Sequence, residues 1–193
     1  MRKIILFMVY SLDGFICGPN NELDWENRNE EVGAFLIPDL LKRVDSTILG
    51  KNLFTGFEQY WPSVAQDTTA PKELSSFAQW LVDSPKYVLT STLTEVSWNN
   101  SHIIKATTDV EIVQEVTKLK KQKGGDIVLF GGAQMAQTVV RLGLVDEYIL
   151  KVQPVALGKG KALFVEKTHL KLISSHEFSS GVVSLTYANA KNN

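Results

Sequence analysis

The sequence contains one cysteine and three histidines, and neither charge is in excess. With Cys17 alone, the chain cannot form an internal disulfide or a cysteine-based zinc cluster, which fits a reducing cytoplasm. The histidines show no metal-binding spacing, so we expect no metal site. A net charge of −1, from 20 basic and 21 acidic residues, argues against a nucleic-acid partner.

Long hydrophobic runs are also absent. No apolar stretch approaches the ~18 residues that span a bilayer, so we expect no membrane association. Arg2-Lys3 precede an apolar run, as in an export signal, but Asp13 interrupts it and no small-residue cleavage site follows. A first buried strand is the better interpretation. With 44% hydrophobic and 21% charged residues, the 193-residue chain is predicted to form one globular domain, residues 1–193.

Strand and helix patterns alternate through the first three quarters of the chain and give way to strands alone after Glu147. We predict one mixed, mainly parallel α/β sheet flanked by helices, with an antiparallel C-terminal hairpin. A break or a kink is expected at Pro38 in the first helix. The predicted strands are 3–10, 46–49, 87–90, 102–105, 126–130, 148–155, 171–178 and 182–190; the helices are 30–42, 71–82, 108–121 and 133–142; the irregular segments are a polar loop at 11–29, a helical turn or two at 52–60 and a connector at 61–70.

The most informative segment is 126–135, where a buried strand ends at Gly131-Gly132 and a helical pattern begins at once. Because glycine has no Cβ, an anion can approach the unpaired amides of the first helical turn, where the helix dipole favours negative charge. A tight strand-to-helix turn also requires glycine for packing. The motif alone therefore leaves phosphate binding and packing equally open.

Two further strand ends carry small or polar residues. Gly50 permits close approach and Lys51 offers a positive charge to a phosphate. Thr90 and Ser91 could bind a phosphate or ribose, or could merely cap a turn. Ligands gather at the carboxyl ends of strands in such sheets, and a dinucleotide needs several contacts at once. The three strand ends together favour a dinucleotide ligand.

Several segments, in order along the chain, resemble the dihydrofolate reductase superfamily. The resemblance is greatest to the reductase domain of bifunctional riboflavin-biosynthesis deaminase–reductases. The matching segments are 11–16, 48–51, 86–93 and 127–164, the last including Gly131-Gly132, Arg141–Glu147 and Pro154–Gly160.

The resemblance implies NADPH as the hydride donor and names the residues that would hold it. Gly131, Gly132, Ala133, Gln134 and Met135 match the pyrophosphate-binding helix start, Gly50, Lys51 and Asn52 match a second phosphate-binding turn, Thr90 and Ser91 match the adenosine-phosphate side, and Ile16 lies in the loop that covers the nicotinamide. Lys51 stands where the family often has arginine, Leu53 where it often has threonine, and Ala133 where dihydrofolate reductases often have a third glycine.

The substrate side is less defined. Trp25, with Asp24, stands where relatives place substrate-lining residues. Hydride transfer to a C=N or C=O carbon also requires a proton for the heteroatom. The candidate catalytic carboxylates are Asp13, Asp24 and Glu30, each of which could instead be a loop or helix-capping acid. Glu30 and Glu31 are not distinguished as the counterpart of the dihydrofolate reductase acid.

The expected function is an NADPH-dependent reductase of the 5-amino-6-(5-phosphoribosylamino)uracil reductase type, acting on a small heterocyclic or sugar-linked C=N or C=O substrate. One alternative is a dihydrofolate reductase, which the absence of the usual proline-tryptophan pair disfavours. Another is a dinucleotide-binding protein without catalytic activity. The resemblance also implies a homodimer. One cysteine cannot supply the zinc site of the deaminase half.

Overall fold

The computed structural model describes residues 1–190, so the last three residues of the predicted 1–193 domain lie outside it. The described chain forms five α-helices and ten β-strands. Their bounds are β1 Ile4–Ser11, β2 Phe15–Cys17, α1 Glu30–Arg43, β3 Val44–Gly50, α2 Lys51–Gln66, α3 Lys72–Asp83, β4 Lys86–Thr90, β5 Ser101–Lys105, α4 Asp109–Lys121, β6 Asp126–Gly131, α5 Ala133–Arg141, β7 Glu147–Gln153, β8 Lys161–Ala162, β9 Leu170–Glu177 and β10 Val183–Asn189.

The chain divides into two compact units. The first unit comprises Met1–Arg2 and Gly33–Val128, and the second comprises Lys3–Val32 and the residues from Leu129 onward. Helix α1 and strand β6 each have residues in both units. The single-domain organisation expected from the chain length stays a prediction.

In the first unit, the strand order is β5-β4-β3-β6. Strand β4 runs parallel to both β3 and β5. Helices α2 and α3 connect β3 to β4, whereas the irregular segment 91–100 connects β4 to β5. Helices α2 and α3 pack together through aromatic rings, with the Trp61 and Phe77 centroids 4.9 Å apart. Helix α4 begins with the predicted capping box, in which Thr108 accepts from the Glu111 amide and the Glu111 side chain accepts in return from the Thr108 amide.

In the second unit, the strand order is β6-β1-β7-β10-β9. Strands β1 and β7 are parallel, in a register from Ile5 opposite Glu147 to Ser11 opposite Gln153. Strand β10 is antiparallel to both β7 and β9, which confirms the predicted C-terminal hairpin. Helix α5 buries its apolar positions, and β2 pairs with β8 in a separate two-stranded sheet. The mixed, mostly parallel α/β architecture is confirmed.

Two local predictions are wrong, and one is narrowed. Of the break or kink expected at Pro38, the break does not occur, because helix α1 continues through this residue. Helix α2 continues through Pro62 to Gln66, so the connector predicted at 61–70 is mostly helical. Rings at 57, 61 and 77 pack edge to face across α2 and α3, and this tertiary packing outweighs the unfavourable proline. The predicted loop 11–29 contains strand β2, whose partner β8 lies far along the chain.

Within residues 1–190, no helix is both long and apolar enough to cross a membrane. The same residues contain no group of three or more histidine, cysteine, aspartate or glutamate side chains arranged to hold a metal ion.

Candidate functional site

The two glycines between β6 and α5 have different structural roles, although both have positive φ values, +87° at Gly131 and +78° at Gly132. A Cβ on Gly131 would lie 2.5 Å from Cε of Met8 and 3.3 Å from Cβ of Ala136. A Cβ on Gly132 would meet no heavy atom within 4 Å. The space beside Gly131 is therefore filled by side chains of the core, whereas Gly132 leaves open space beside the start of the helix.

The first turn of α5 presents amides to that open space. The Ala136 amide donates to the Gly132 carbonyl at 2.9 Å, which is the first hydrogen bond of the helix. The amides of Ala133, Gln134 and Met135 precede this bond, so they have no acceptor within the helix, and no side chain caps it. The start of α4 differs because the Glu111 carboxylate already occupies it. The start of α5 thus has the geometry of an anion site.

In the first unit, the structure brings the two other predicted segments side by side. Gly50 is opposite Leu89 in the parallel pairing of β3 and β4, so the turns that follow these strands are neighbours. Lys51 is exposed at the first position of α2, and its Nζ lies 3.2 Å from Oγ1 of Thr92. Asn52, also exposed, follows it. Gly50 has an ordinary extended φ of −79°, so its backbone conformation does not require glycine. What it offers a ligand is the absence of a side chain.

The hydroxyl of Thr90 has a structural role. Thr90 is buried, and its Oγ1 accepts from the amides of Thr92 and Leu93, both at 3.2 Å. The alternative that Thr90 caps a turn is therefore confirmed. The neighbouring Ser91 is exposed, so its hydroxyl is accessible to a ligand.

Asp13 anchors a distant loop in the second unit. Its carboxylate accepts from the Ser11 hydroxyl at 2.7 Å and from the amides of Leu157 at 3.0 Å and Gly158 at 2.7 Å. The Ser11 hydrogen bond, followed by those from the two amides, lowers the pKa of Asp13 to about 2. The side chain is therefore a carboxylate at neutral pH. Ile16, two residues after Gly14, is buried in β2.

The other predicted substrate-side residues lie nearer to solvent. Asp24 and Glu30 are exposed, the latter at the first position of α1. Trp25 is half-buried, and its Nε1 donates to the Glu22 carbonyl at 3.2 Å. Glu31 accepts from the Ser179 amide at 3.2 Å, so this neighbouring acid holds the β9–β10 turn.

The sequence reasoning missed an ion pair between Lys151 on β7 and Glu26 in the loop before α1. Lys151 Nζ lies 2.9 Å from Glu26 Oε1, and the side chains are only 20% and 15% exposed. Nζ also lies 5.4 Å from the centroid of the Phe7 ring, which packs edge to face on Phe130. The available signal was a lysine within the otherwise apolar strand from Tyr148 to Val152, because a charge in a buried strand needs a partner.

The mixed sheet and its flanking helices define a dihydrofolate reductase-like fold. The model of the RibD C-terminal domain matches residues 2–184, so the chain belongs to that family. The resemblance noted from the sequence motifs is thereby confirmed.

Three relatives illustrate the similarity. The uncharacterized protein YyaP of Bacillus subtilis strain 168 is 39% identical over 189 residues, which cover 96% of this chain and 94% of YyaP. A diaminohydroxyphosphoribosylaminopyrimidine deaminase/5-amino-6-(5-phosphoribosylamino)uracil reductase from Thermotoga maritima matches with a TM-score of 0.63 and 12% identity, over 98% of this chain and 57% of that one. Dihydrofolate reductase from Enterococcus faecalis, in complex with NADP(H), matches with a TM-score of 0.60 and 15% identity, over 97% and 96% of the two chains. These two structures share the fold.

Proposed function

We propose that this protein is an NADPH-dependent reductase that transfers a hydride to a C=N or C=O carbon of a small heterocyclic or sugar-linked substrate. The proposed substrate class is that of 5-amino-6-(5-phosphoribosylamino)uracil. The observation that carries the proposal is the open space at Gly132 beside three amides of α5, in a member of the RibD C-terminal domain family.

The residues present fit a dinucleotide. Hydrogen bonds from the amides of Ala133, Gln134 and Met135 match the acceptors of a diphosphate, and the dipole of α5 favours its charge. Independently, Lys51 supplies a positive charge at the uncapped start of α2, with Asn52 beside it. When bound, NADPH would supply the hydride from its nicotinamide ring.

Two further side chains complete the proposed cofactor contacts. In this proposal the exposed hydroxyl of Ser91 bonds an adenosine phosphate, and Thr90 holds the turn that carries Ser91. Ile16 is buried in β2, within the segment that the resemblance assigns to the nicotinamide, and we assign it the packing of that segment.

The three candidate carboxylates differ in suitability as proton donors. Asp13 has a pKa of about 2 and three donors fixed on it, so it is suited to holding the loop at 157–158 and unsuited to releasing a proton at neutral pH. Asp24 and Glu30 are exposed to solvent. Trp25, half-buried beside them, offers an aromatic face to a heterocycle.

The first experiment measures NADPH binding to wild type, Gly132→Val and Gly143→Val by fluorescence. Gly143 ends α5 with a φ of +67° and equally open space around a Cβ, so its valine variant carries the same kind of backbone strain away from the proposed site. We expect Gly132→Val to weaken binding at least tenfold and Gly143→Val to leave it unchanged. Equal effects of the two variants would show that the glycine pair only forms a turn.

Reduction is then followed by loss of nicotinamide absorbance, with the pyrimidine substrate and with dihydrofolate in separate assays. We expect turnover with the pyrimidine. Turnover with dihydrofolate alone would identify the protein as a dihydrofolate reductase. NADPH binding without turnover of either compound would indicate a non-catalytic dinucleotide-binding protein.

We also propose that the protein is a homodimer. Strand β9 is the edge of the sheet in the second unit and exposes Leu172 and Ile173 by 52% and 54%. An apolar edge strand is unfavourable in a monomer and is commonly covered by a partner. Light scattering coupled to size-exclusion chromatography would test this directly.

A further inference from the structure

A contiguous set of contacts in the second unit connects the glycine turn to a shielded ion pair. Phe130 directly precedes Gly131, and its ring centroid lies 6.1 Å from that of Phe7. The Lys151 ammonium also lies near the Phe7 ring, 5.4 Å from its centroid. Glu26 completes the set at 2.9 Å from the ammonium. Phe130 thus joins the strand that ends at the proposed pyrophosphate turn to the aromatic contact beside the ion pair.

The loop that carries Glu26 is fixed on strand β7 by two contacts. The first is the ion pair, and the second is a hydrogen bond of 3.0 Å from the Asn27 amide to the side-chain oxygen of Gln153, which is 1% exposed. The loop thereby turns Glu26 inward, while its neighbour Asp24 remains exposed. Arg28 approaches Glu26 at 3.5 Å from the solvent side.

Lys151 has the chemistry and the exposure of a proton donor to a ligand. Its ammonium carries three N–H groups, of which Glu26 accepts one, so two remain to face the Phe7 ring or a bound molecule. The side chain retains 20% exposure, which admits a ligand, and the Phe7 ring shields one side of the ammonium. Two ionised carboxylates could only accept hydrogen bonds at neutral pH, whereas the pair of Lys151 and Glu26 includes a group that can donate one.

We propose that Lys151 is the acid that protonates the substrate heteroatom and that Glu26 is its positioning residue. This inference rests on the proposed reductase function. As the substrate carbon gains the hydride with its two electrons, the π bond of C=N or C=O opens onto the heteroatom, which takes one proton from the Lys151 ammonium. The neutral amine then regains a proton from solvent. The sequence suggested neither Lys151 nor Glu26 as a catalytic candidate.

The test compares Lys151→Met, Lys151→Arg and Glu26→Gln with wild type and with Lys3→Met. Lys3 also pairs with a glutamate on β7, at 3.7 Å from Glu147, but it is 56% exposed at the far end of the strands, so it is a matched control. The measurements are kcat and KM with the pyrimidine substrate, the Kd of NADPH, the Kd of the pyrimidine without cofactor by calorimetry, and Tm.

Lys151→Met is expected to lower kcat by a factor of about 10² to 10⁴, the range typical for loss of a general acid. It should also weaken cofactor-free pyrimidine binding by about tenfold or more, with an unchanged Kd for NADPH. Lys151→Arg keeps the charge but releases a proton poorly, since guanidinium has a pKa above 12. It should therefore retain KM and Tm while losing kcat, and Glu26→Gln should fall between wild type and Lys151→Met.

A purely structural ion pair gives a different result, with Lys151→Arg fully active and Lys151→Met altered in Tm alone. That result, or wild-type kcat in Lys151→Met, overturns the inference and leaves the reductase function standing. Failure of the wild-type protein to bind NADPH or to reduce the pyrimidine overturns both together.

Discussion

Lys86→Met is a change whose effect on stability follows directly from the structure. Lys86 opens strand β4, whose other end presents Ser91, and its side chain is fully buried. Its ammonium donates to three carbonyls at the end of α3, those of Leu81 at 2.7 Å, Val82 at 3.1 Å and Ser84 at 2.8 Å. It also lies 4.5 Å from the centroid of the Trp98 ring. This lysine ties the last turn of α3 to the strand.

Two opposing terms set the size of the effect. Methionine fills a similar volume but leaves the three carbonyls without this donor, and each unsatisfied buried group costs about 1–3 kcal/mol. The same change removes a buried charge and its desolvation penalty, which offsets part of the loss in stability. We expect a net loss of about 3 kcal/mol, or about 6–12 °C in Tm for a chain of this length. Lys118→Met, at a lysine that is 67% exposed, should change Tm little.

The pH dependence gives an independent check on Lys86. Burial lowers the pKa of Lys86 from 10.5 to about 8, so the ammonium is still the main form at neutral pH. Between pH 8 and 10.5 the folded protein has lost a proton that the unfolded chain keeps, so the free energy of unfolding of wild type should rise relative to that of Lys86→Met. The maximum gain is about 3 kcal/mol. Because other groups titrate alike in both proteins, they cancel in this difference.

Thermal melts at pH 7 and urea denaturation of both proteins at pH 7, 9 and 10 measure these quantities. If Lys86→Met melts within about 1 °C of wild type, the three carbonyls do not depend on this ammonium. A free-energy difference that stays constant from pH 7 to 10 would show that Lys86 has no depressed pKa.

Three further predictions concern the proposed site and the surface. Lys51→Glu should weaken NADPH binding by tenfold to a hundredfold, because reversing a partly screened charge near a phosphate costs about 1–3 kcal/mol. The Tm should stay unchanged. Equal NADPH affinity in titrations of both proteins would remove Lys51 from the site. Asp13→Ala should be less stable than wild type at pH 7. The urea midpoints of the two proteins should converge as the pH falls from about 4 to 2, because the hydrogen bonds that depress the pKa of Asp13 are lost as it becomes protonated. Leu172→Lys on β9 should shift the dimer proposed above to monomer in light scattering, and an unchanged mass would place the dimer contact elsewhere.

Local patterns allowed most of the fold to be predicted. The capping box at Thr108 and Glu111 and the change from alternating helices and strands to strands alone after Glu147 are both read from neighbouring residues, and both are confirmed. The errors came from tertiary packing. Pro62 argues locally against a helix, but the ring of Trp61 packs against Phe77 of another helix and keeps α2 intact.

The candidate site divides in the same way. Gly131 and Gly132 are adjacent in sequence, so the turn could be predicted, although only the coordinates separate the packing glycine from the open one. Glu26 and Lys151 are 125 positions apart, and no spacing rule connects residues at that distance. The same holds for Asp13, whose partners at 157 and 158 show that this acid anchors a loop.

Strand β7 and the loop that follows it bind two acids of the segment between β1 and α1, the half-buried Glu26 and the exposed Asp13. Glu26 reaches Lys151 within the strand, and Asp13 reaches the amides of Leu157 and Gly158 just after it. The polar surface offered to a substrate in the second unit therefore depends on residues 151–158, whereas the phosphate-type contacts of the first unit depend on the turns at Lys51 and Ser91. Because these two sets share no residues, changes in 151–158 should alter substrate choice while leaving the contacts at Lys51 and Ser91 in place. Family members that differ in this segment are thus expected to differ in the compound reduced more than in the dinucleotide used.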